Sequence, residues 1–496
     1  MARATSLPLN NRSELRTVHL KDEVLDSIAE HANVAQFVSF DPDLKQRYAR
    51  VYGKPRGYVF DSPLKAVTGL LESSLEKSVN IRTFGYGDSR SGDFIRGLTR
   101  AEDVLSALLQ LSSRGLHTIV NESIDINDGG VSGVSCGDIV EFCPGDTPRC
   151  VEHADVASLP KQIAWGVLKR VYGFVPKLDN DIRKRIEFSV HPTMRGFARE
   201  HTIIWEIEES SVQSFSHKVR WPNSFSKYLG DKLFGLIIAD VLGFAVPATL
   251  ALARKVSPFK FGRPTKASTG IVWIRTCPAI KTPGKFTTSR GWKDPFAIMQ
   301  AEDPGGDLIS SILVQDEVEA RYSGAFLSSS SGHPVIEGVS GTGETLMLGI
   351  EGPTDLPTRI LHDIHVLYAE IDRLLGPVRV EWVHDGQEPW LVQVQQESTY
   401  GFEDVIVPAD NHTTEYVEFR VSDGLPKLRE LVRDLAGTGK GIMLRGHVGL
   451  TSHLADILRE ARIPSKRAVP EERRLQTQIS FFGAPKDCWG GAREKL

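Results

Sequence analysis

An ordered series of short motifs occurs twice in this chain, and any fold it adopts has to accommodate both copies. The first series runs VNIRTF (79–84), TIVNESID (118–125), GGVSGV (129–134), KRIEFSVHP (184–192) and HTIIWEIEES (201–210). The second runs VWIRTC (272–277), ILVQDEVE (312–319), ARYSGAF (320–326), VRVEWVHDG (378–386) and PWLVQVQQES (389–398). Spacing repeats too. Arg82 to Glu122 and Arg275 to Gln315 are each 40 residues apart, and Ser132 to Glu187 and Ser323 to Glu381 span 55 and 58. One shared IRT would mean little. Five motifs in order predict two related α+β halves, with Arg82 matched to Arg275, Glu122 to Gln315 and Glu187 to Glu381.

Each half alternates strand-like and helix-like runs. GIVWIRT, SILVQDEV and VRVEWVHDGQEPWLVQVQ are rich in β-branched and aromatic residues, and the last reads as a hairpin turning at Asp385-Gly386. Apolar residues recur at helical spacing over 101–115, 230–243 and 357–376. Periodicity lapses near 220 and 402. The expected division is an N-terminal α+β domain over 1–220, a second α+β domain over 221–402, and a small C-terminal α/β domain over 403–496. The net charge of −4 argues against nucleic acid as a partner. No run of eighteen apolar residues and no signal-like N-terminus occur, so no membrane partner and a cytoplasmic location are expected. A homo-oligomer is left open. The five cysteines form no C-x-x-C pair and read as free thiols.

Several residues carry candidate chemistry. Glu381 and Gln393 stand on the two strands of the predicted hairpin. A carboxylate and an amide oxygen on one face are hard ligands suited to a nucleotide-bound Mg²⁺, although a solvated polar face would look the same. GVSGTGETLMLG (338–349), with Gly341, Gly343 and Glu344, is a glycine-rich turn that matches neither familiar phosphate fingerprint. Lys232 opens an apolar helix and Arg275 ends a strand. Each is a phosphate-neutralising cation or an ordinary surface charge. In GLTSHLADILREARIP (449–464), Leu454, Ile457, Leu458 and Ala461 fall at helical spacing and Pro464 closes the segment. His453 then lies in the first turn, where free N–H groups favour an anion. It is either a plain helix-start residue or a nucleophile.

Together these segments resemble the phosphoenolpyruvate synthase and pyruvate phosphate dikinase family. GDKLFGLIIADVLGFAVPATLAL is similar to the opening of that family's ATP-binding domain, and WIRTC to its strand ending in a phosphate-binding arginine. ILVQDEV resembles its adenine-side strand, YSGAF its Ser-Gly-Val-Met-Phe turn, and GTGET its Gly-Leu-Gly-Glu loop. VEWVHDGQEPWLVQVQ resembles its closing hairpin, and GLTSHLADILREARIP the phosphohistidine signature of its swivelling domain. The resemblance covers roughly 225–400 and, as one motif, 440–465.

The resemblance implies an ATP-grasp-like fold for the second half and a swivelling-type C-terminal domain. It implies that ATP and Mg²⁺ bind, with Lys232 and Arg275 on phosphates and Gln315, Glu317 and Val318 along the adenine. Gly341, Gly343 and Glu344 would form the glycine-rich loop, Glu381 and Gln393 would hold Mg²⁺, and His453 would carry a phosphoryl group to a small-molecule acceptor. The expected activity is that of an ATP-dependent phosphotransferase of the dikinase type. A direct ATP-grasp kinase or ligase, and a nucleotide-binding protein without turnover, are the alternatives. The chain departs from the pattern at Asp231, Gln395 and Val448, where the family has Gly, Arg and Gly. Its histidine domain reads as shortened, and His447 is a second candidate histidine. The first half has Arg82, Glu187, Glu206 and Glu208 but no Gly-Lys turn ahead of Arg82, so no second ATP is expected there, and it reads either as a degenerate copy turned to acceptor binding or as purely structural.

Overall fold

The computed structural model describes residues 20–84, 92–125, 127–145, 155–178, 184–209, 219–265, 270–279, 288–328, 334–396, 405–410, 413 and 415–468. The chain divides into two compact units, Met1–His217 and Lys218–Leu496. Both are mixed α+β with mainly antiparallel sheets, the class expected from the sequence.

In the first unit, helix α1 (Lys21–Ile28) precedes strands β1 (Phe37–Phe40), β2 (Gln46–Arg50), β3 (Val79–Phe84), β4 (Phe94–Leu98) and β5 (His117–Glu122). They form a sheet in the order β2-β1-β5-β3-β4. Helix α2 (Pro63–Ser73) starts where the Ser62 side chain accepts from the Lys65 N–H and Pro63 takes the first helical position. With α3 (Ala101–Ser112) it buries Ala66, Val67, Leu70, Val104 and Leu108 in one core with Val38, Ile81 and Val120. Strands β6 (Val131–Cys136), β7 (Ile139–Pro144), β8 (Ala157–Pro160), β9 (Lys184–Arg195) and β10 (Glu200–Glu209), with helix α4 (Lys161–Tyr172), add a second sheet ordered β10-β9-β6-β7-β8.

The second unit opens with α5 (Ser224–Leu229) and α6 (Asp231–Val241). Strands β11 (Thr249–Ala253), β12 (Phe259–Phe261), β13 (Val272–Pro278) and β14 (Thr288–Arg290), helix α7 (Pro295–Glu302) and strand β15 (Ile309–Asp316) follow. The sheet order is β12-β11-β15-β13-β14, the same as in the first unit strand for strand. Strands β16 (Tyr322–Leu327) and β17 (Val335–Ser340), helices α8 (Glu344–Leu348) and α9 (Thr358–Leu375), and strands β18 (Val378–His384) and β19 (Pro389–Gln396) complete a second sheet ordered β17-β16-β18-β19. This repeats β7-β6-β9-β10, with β8 as an additional edge strand in the first unit.

Register extends the parallel to single residues. Val134 faces Glu187 as Ala325 faces Glu381. Glu206 faces Glu187 as Gln393 faces Glu381, and each hairpin bulges beside that pair. Gly133 and Gly324 occupy equivalent positions, and a Cβ there would lie 2.7 Å from the Glu141 carbonyl and 2.0 Å from that of Glu337. Only glycine permits so close a strand approach. One expected equivalence is off by a residue. Val79 faces Glu122 and Val272 faces Asp316, so Gln315 is matched by Asn121, not Glu122. Counting along the chain missed this because the β3–β5 and β13–β15 connections differ in length by one residue.

A small α/β layer closes the second unit: β20 (Val405–Val407), β21 (Glu415–Arg420), α10 (Gly424–Leu435), β22 (Lys440–Arg445), α11 (His453–Ala461) and β23 (Ser465–Arg467). Its sheet runs β20-β23-β22-β21, with β22 parallel to both β21 and β23. Phe419, Leu428, Ile442, Leu444, Leu454 and Leu458 form its core. Two buried charges tie it to the preceding sheet. Glu337 on β17 accepts from the Leu450 N–H at 2.9 Å, the Thr451 N–H at 2.8 Å and the Thr451 hydroxyl at 2.7 Å. Arg379 on β18 pairs with Asp456 on α11 and donates to the Thr451 carbonyl at 2.6 Å. Cys136, Cys143 and Cys277 are free thiols, as expected; Cys150 and Cys488 lie outside the described residues. Among the described residues no helix is long and apolar enough to cross a membrane.

The buried carboxylate gives a first test. Glu337→Ala leaves two buried N–H groups without acceptors, a cost of about 1–3 kcal/mol for each. The variant is expected to unfold at lower urea concentration and to be cut by protease within 440–467 sooner than the parent. Equal cleavage rates would show that Glu337 does not hold this layer in place.

Candidate functional site

Helix α6 sets the floor of the candidate site. Gly235 lets it seat directly on β19, since a Cβ there would lie 2.0 Å from the Val394 carbonyl oxygen. That seat brings Lys232, in the first turn, beneath the β18–β19 hairpin. Among the described residues, the Lys232 ammonium has no hydrogen bond or ion pair. Burial is the largest influence on its pKa and holds it below the usual lysine value of 10.5. Arg275 and Arg379 push the same way against Cys277 and Glu381.

Lys232 lines a cavity of about 400 Å³ between the two sheets of the second unit. Trp273 and Arg275 of β13 form one wall, with Glu381 of β18 and Gln393 of β19 opposite. Glu381 and Gln393 are direct cross-strand neighbours. Arg275 lies 3.6 Å from Glu381, donates to the Val392 carbonyl at 3.2 Å, and keeps its buried Nε without a partner. Burial acts to raise the pKa of Glu381. Arg379, Arg275, His453 and Lys232 outweigh it and hold the carboxyl below the usual carboxylate range. The site is therefore an excess of cations around one ionised carboxylate.

His453 enters the same cavity from α11. Ser452 caps that helix by accepting from the Ala455 N–H, so His453 takes the first helical position. Its ring is 27% exposed, with Nδ1 lying 3.3 Å from Asp456 Oδ2. His447 does not line the cavity; it packs beside Gly352.

The segment between the two sheets forms the lip. Gln315 (1% exposed), Glu317 and Val318 line the cavity. The Glu317 side chain is committed to Arg290, at 2.6 and 3.1 Å, so its backbone is what remains for a ligand. Gly343 and Glu344 line the far side, with Glu344 exposed at the start of α8. Gly341 stands behind them, its carbonyl accepting from the Ser323 hydroxyl at 2.5 Å. Of the sequence-selected residues of this unit, Gly341 and His447 stay out of the lining.

Among the described residues no three or more His, Cys, Asp or Glu side chains cluster as a metal cage. Glu381 and Gln393 supply two oxygen ligands, which suits an ion completed by phosphate and water, as Mg²⁺ usually is.

The equivalent place in the first unit is closed. Lys21 opens α1 as Lys232 opens α6, an equivalence hidden from the sequence because no glycine precedes it. Lys21 pairs with Glu206 and, at 3.0 Å, with Glu208; Arg82 lies 3.6 Å from Glu206. Glu187 pairs with Arg185 at 2.8 Å. A cavity of only about 30 Å³ remains. A Ser-His-Asp chain lies nearby, with Asp128 and Ser189 each 2.7 Å from the His191 ring nitrogens. Ser189 is fully buried and also accepts from the Trp205 indole, so this chain is a structural relay.

Sequence reasoning missed Arg379, Glu337 and Asp456. Arg379 stands two residues before Glu381 on a strand that alternates faces, and Asp456 one helical turn after His453. Those spacings were the available signals.

No protein-family model and no curated protein matches this chain. Among solved structures it is similar to the macrocyclase MdnC of Microcystis aeruginosa, bound with precursor peptide MdnA. Identity there is 13% over 38% of this chain and 58% of that one, with a TM-score of 0.23. It is similar to D-alanyl-alanine synthetase A of Vibrio cholerae at 14% identity, over 35% of this chain and 56% of that one, with a TM-score of 0.23. It is similar to the D-alanine-D-alanine ligase of Helicobacter pylori at 10% identity, over 36% and 56%, with a TM-score of 0.24. The chain thus spans less than two thirds of each of these proteins. Likeness this slight adds no weight to the geometry.

The lowered pKa of Lys232 has a measurable sign. Folding disfavours its charged form, so the penalty is full below the lowered pKa and fades as pH rises toward 10.5. Lys232→Met is expected to resist denaturant better than the parent at pH 7, with the gap narrowing as pH approaches 10. A variant less stable at pH 7 would contradict this.

Proposed function

We propose that the second unit is an ATP-grasp-like domain that binds ATP with Mg²⁺, and that the protein is an ATP-dependent phosphotransferase in which His453 takes the phosphoryl group. The observation that carries this reading is one cavity shared by Lys232, Arg275, Glu381, Gln393 and His453. A cation without a counterion and an arginine with an orphaned Nε are what a polyphosphate would satisfy. The volume of about 400 Å³ lies in the range of small-ligand sites. Lys232 and Arg275 would bind phosphate oxygens, and the backbone from Gln315 to Val318 would border the base. Glu381 and Gln393 would hold Mg²⁺, whose charge screens the phosphates and offsets what develops during transfer.

His453 would attack in line and then pass the group to a small-molecule acceptor. In the first unit, Glu206 already supplies the counterion for Lys21 and Arg82, so that cavity has neither the room nor the unmet charge for a nucleotide.

A second reading, direct transfer or carboxylate activation without a phosphohistidine, is favoured by one observation. The layer carrying His453 is fastened by Glu337 and Arg379, so chemistry would be confined to a single cavity.

Two experiments test these readings. Glu381→Ala should weaken ATP binding by calorimetry in the presence of Mg²⁺ and change it little in EDTA; equal losses would remove Glu381 as a metal ligand. Protein incubated with β- or γ-labelled ATP should acquire acid-labile, base-stable phosphate at His453, absent from His453→Ala. Acceptor turnover by His453→Ala, or label that persists in it, would favour direct transfer.

A further inference from the structure

The ring of His453 has two nitrogens, and the structure treats them differently. Nδ1 lies 3.3 Å from Asp456 Oδ2. Among the described residues, Nε2 has no hydrogen-bond partner. Asp456 stands one helical turn after the histidine, on the same face of α11, and is 2% exposed. Its carboxylate cannot swing away. Arg379 holds Oδ2, and the Arg459 guanidinium lies 3.4 Å from Oδ1. Arg459 in turn donates to the Leu450 carbonyl at 2.7 Å, and Arg379 to that of Thr451, so both cations are anchored on the loop before the helix.

We propose that Asp456 is the positioning residue of the phosphoryl-accepting histidine: by engaging Nδ1 it orients the ring so that Nε2 is the nitrogen that becomes phosphorylated. This rests on the phosphohistidine reading above.

In the step itself, His453 carries a proton on Nδ1 and a lone pair on Nε2. That pair forms the N–P bond as the bridging P–O bond breaks, and the electrons of the broken bond leave on the nucleotide's oxygen. The ring becomes positive and keeps its Nδ1 proton, which stays hydrogen-bonded to the carboxylate of Asp456. No base or external proton acceptor is needed. A fixed carboxylate on the far nitrogen selects one tautomer and meets the charge that develops, as it does for catalytic histidines generally. With Asp456 merely a counterion for Arg379, its loss would loosen the layer without changing which nitrogen reacts.

The test uses the full chain with ATP and Mg²⁺, comparing the parent with Asp456→Asn and Asp456→Ala. ³¹P NMR and isomer-specific antibodies would score Nε2- against Nδ1-phosphohistidine. Melting and ATP affinity would be measured on the same samples. The parent is expected to label only at Nε2. The variants are expected to label more slowly, by about 10- to 100-fold, with the Nδ1 isomer appearing and ATP affinity retained. Parental rates and pure Nε2 label in both variants would overturn the proposal, as would Nδ1 label in the parent. Label and ATP binding lost together, with lowered melting, would show a purely structural role and also overturn it. No label on the parent would refute the phosphohistidine reading as well, which separates the two failures.

Discussion

The site depends on where Arg379 spends its charge. It sits on β18, two residues from Glu381, and is 2% exposed. It pairs with Asp456 of α11, donates to the Thr451 carbonyl, and lies 3.9 Å from Glu381. One guanidinium therefore joins the hairpin that carries the candidate metal ligands to the helix that carries the candidate nucleophile. Removing one member of such a buried pair costs about 3–5 kcal/mol, because the partner is left charged and unsolvated. The apolar face of helix α11 packs within the C-terminal layer, and the Arg379–Asp456 pair adds a polar tie from that helix to the hairpin.

The two units show how charge, and not topology, separates an open site from a closed one. Strand order and register agree, and so do the positions of the leading lysine and the strand arginine. In the first unit the residue facing Glu187 is Glu206, which neutralises Lys21 and Arg82 from within. In the second the corresponding residue is Gln393, an amide, so Glu381 pairs with Arg275 at 3.6 Å and, among the described residues, Lys232 keeps a charge with no counterion. Trp205, beside Glu206, fills further space where the second unit has Val392.

Much of this could be read from the chain. The hairpin pairing of Glu381 with Gln393 was legible because period-two alternation around Asp385-Gly386 leaves little freedom of register. Helix α11 was legible from its apolar spacing and its proline stop. What stayed hidden was tertiary. Arg379 and Asp456 are 77 residues apart and Glu337 and Thr451 are 114 apart, so no local pattern reports either contact. Lys21 went unread because its equivalence to Lys232 is one of position in a fold, with no glycine turn to mark it. The one-residue slip between Glu122 and Asn121 has the same origin: a loop length that sequence counting cannot apportion.

The ties made by Glu337 and Arg379 also bear on how the molecule is made. Their partners, Thr451 and Asp456, are among the last described residues to leave a ribosome. Until then the sheet of β16 to β19 can form, since its strands all precede residue 397, but Glu337 on β17 and Arg379 on β18 lack the partners that close over them. A nascent chain thus holds all the strands of the two sheets that border the cavity before it holds the helix that completes the lining. A chain cut short before residue 449 would contain every strand of the two sheets that border the cavity yet lack His453 and the helix that carries it.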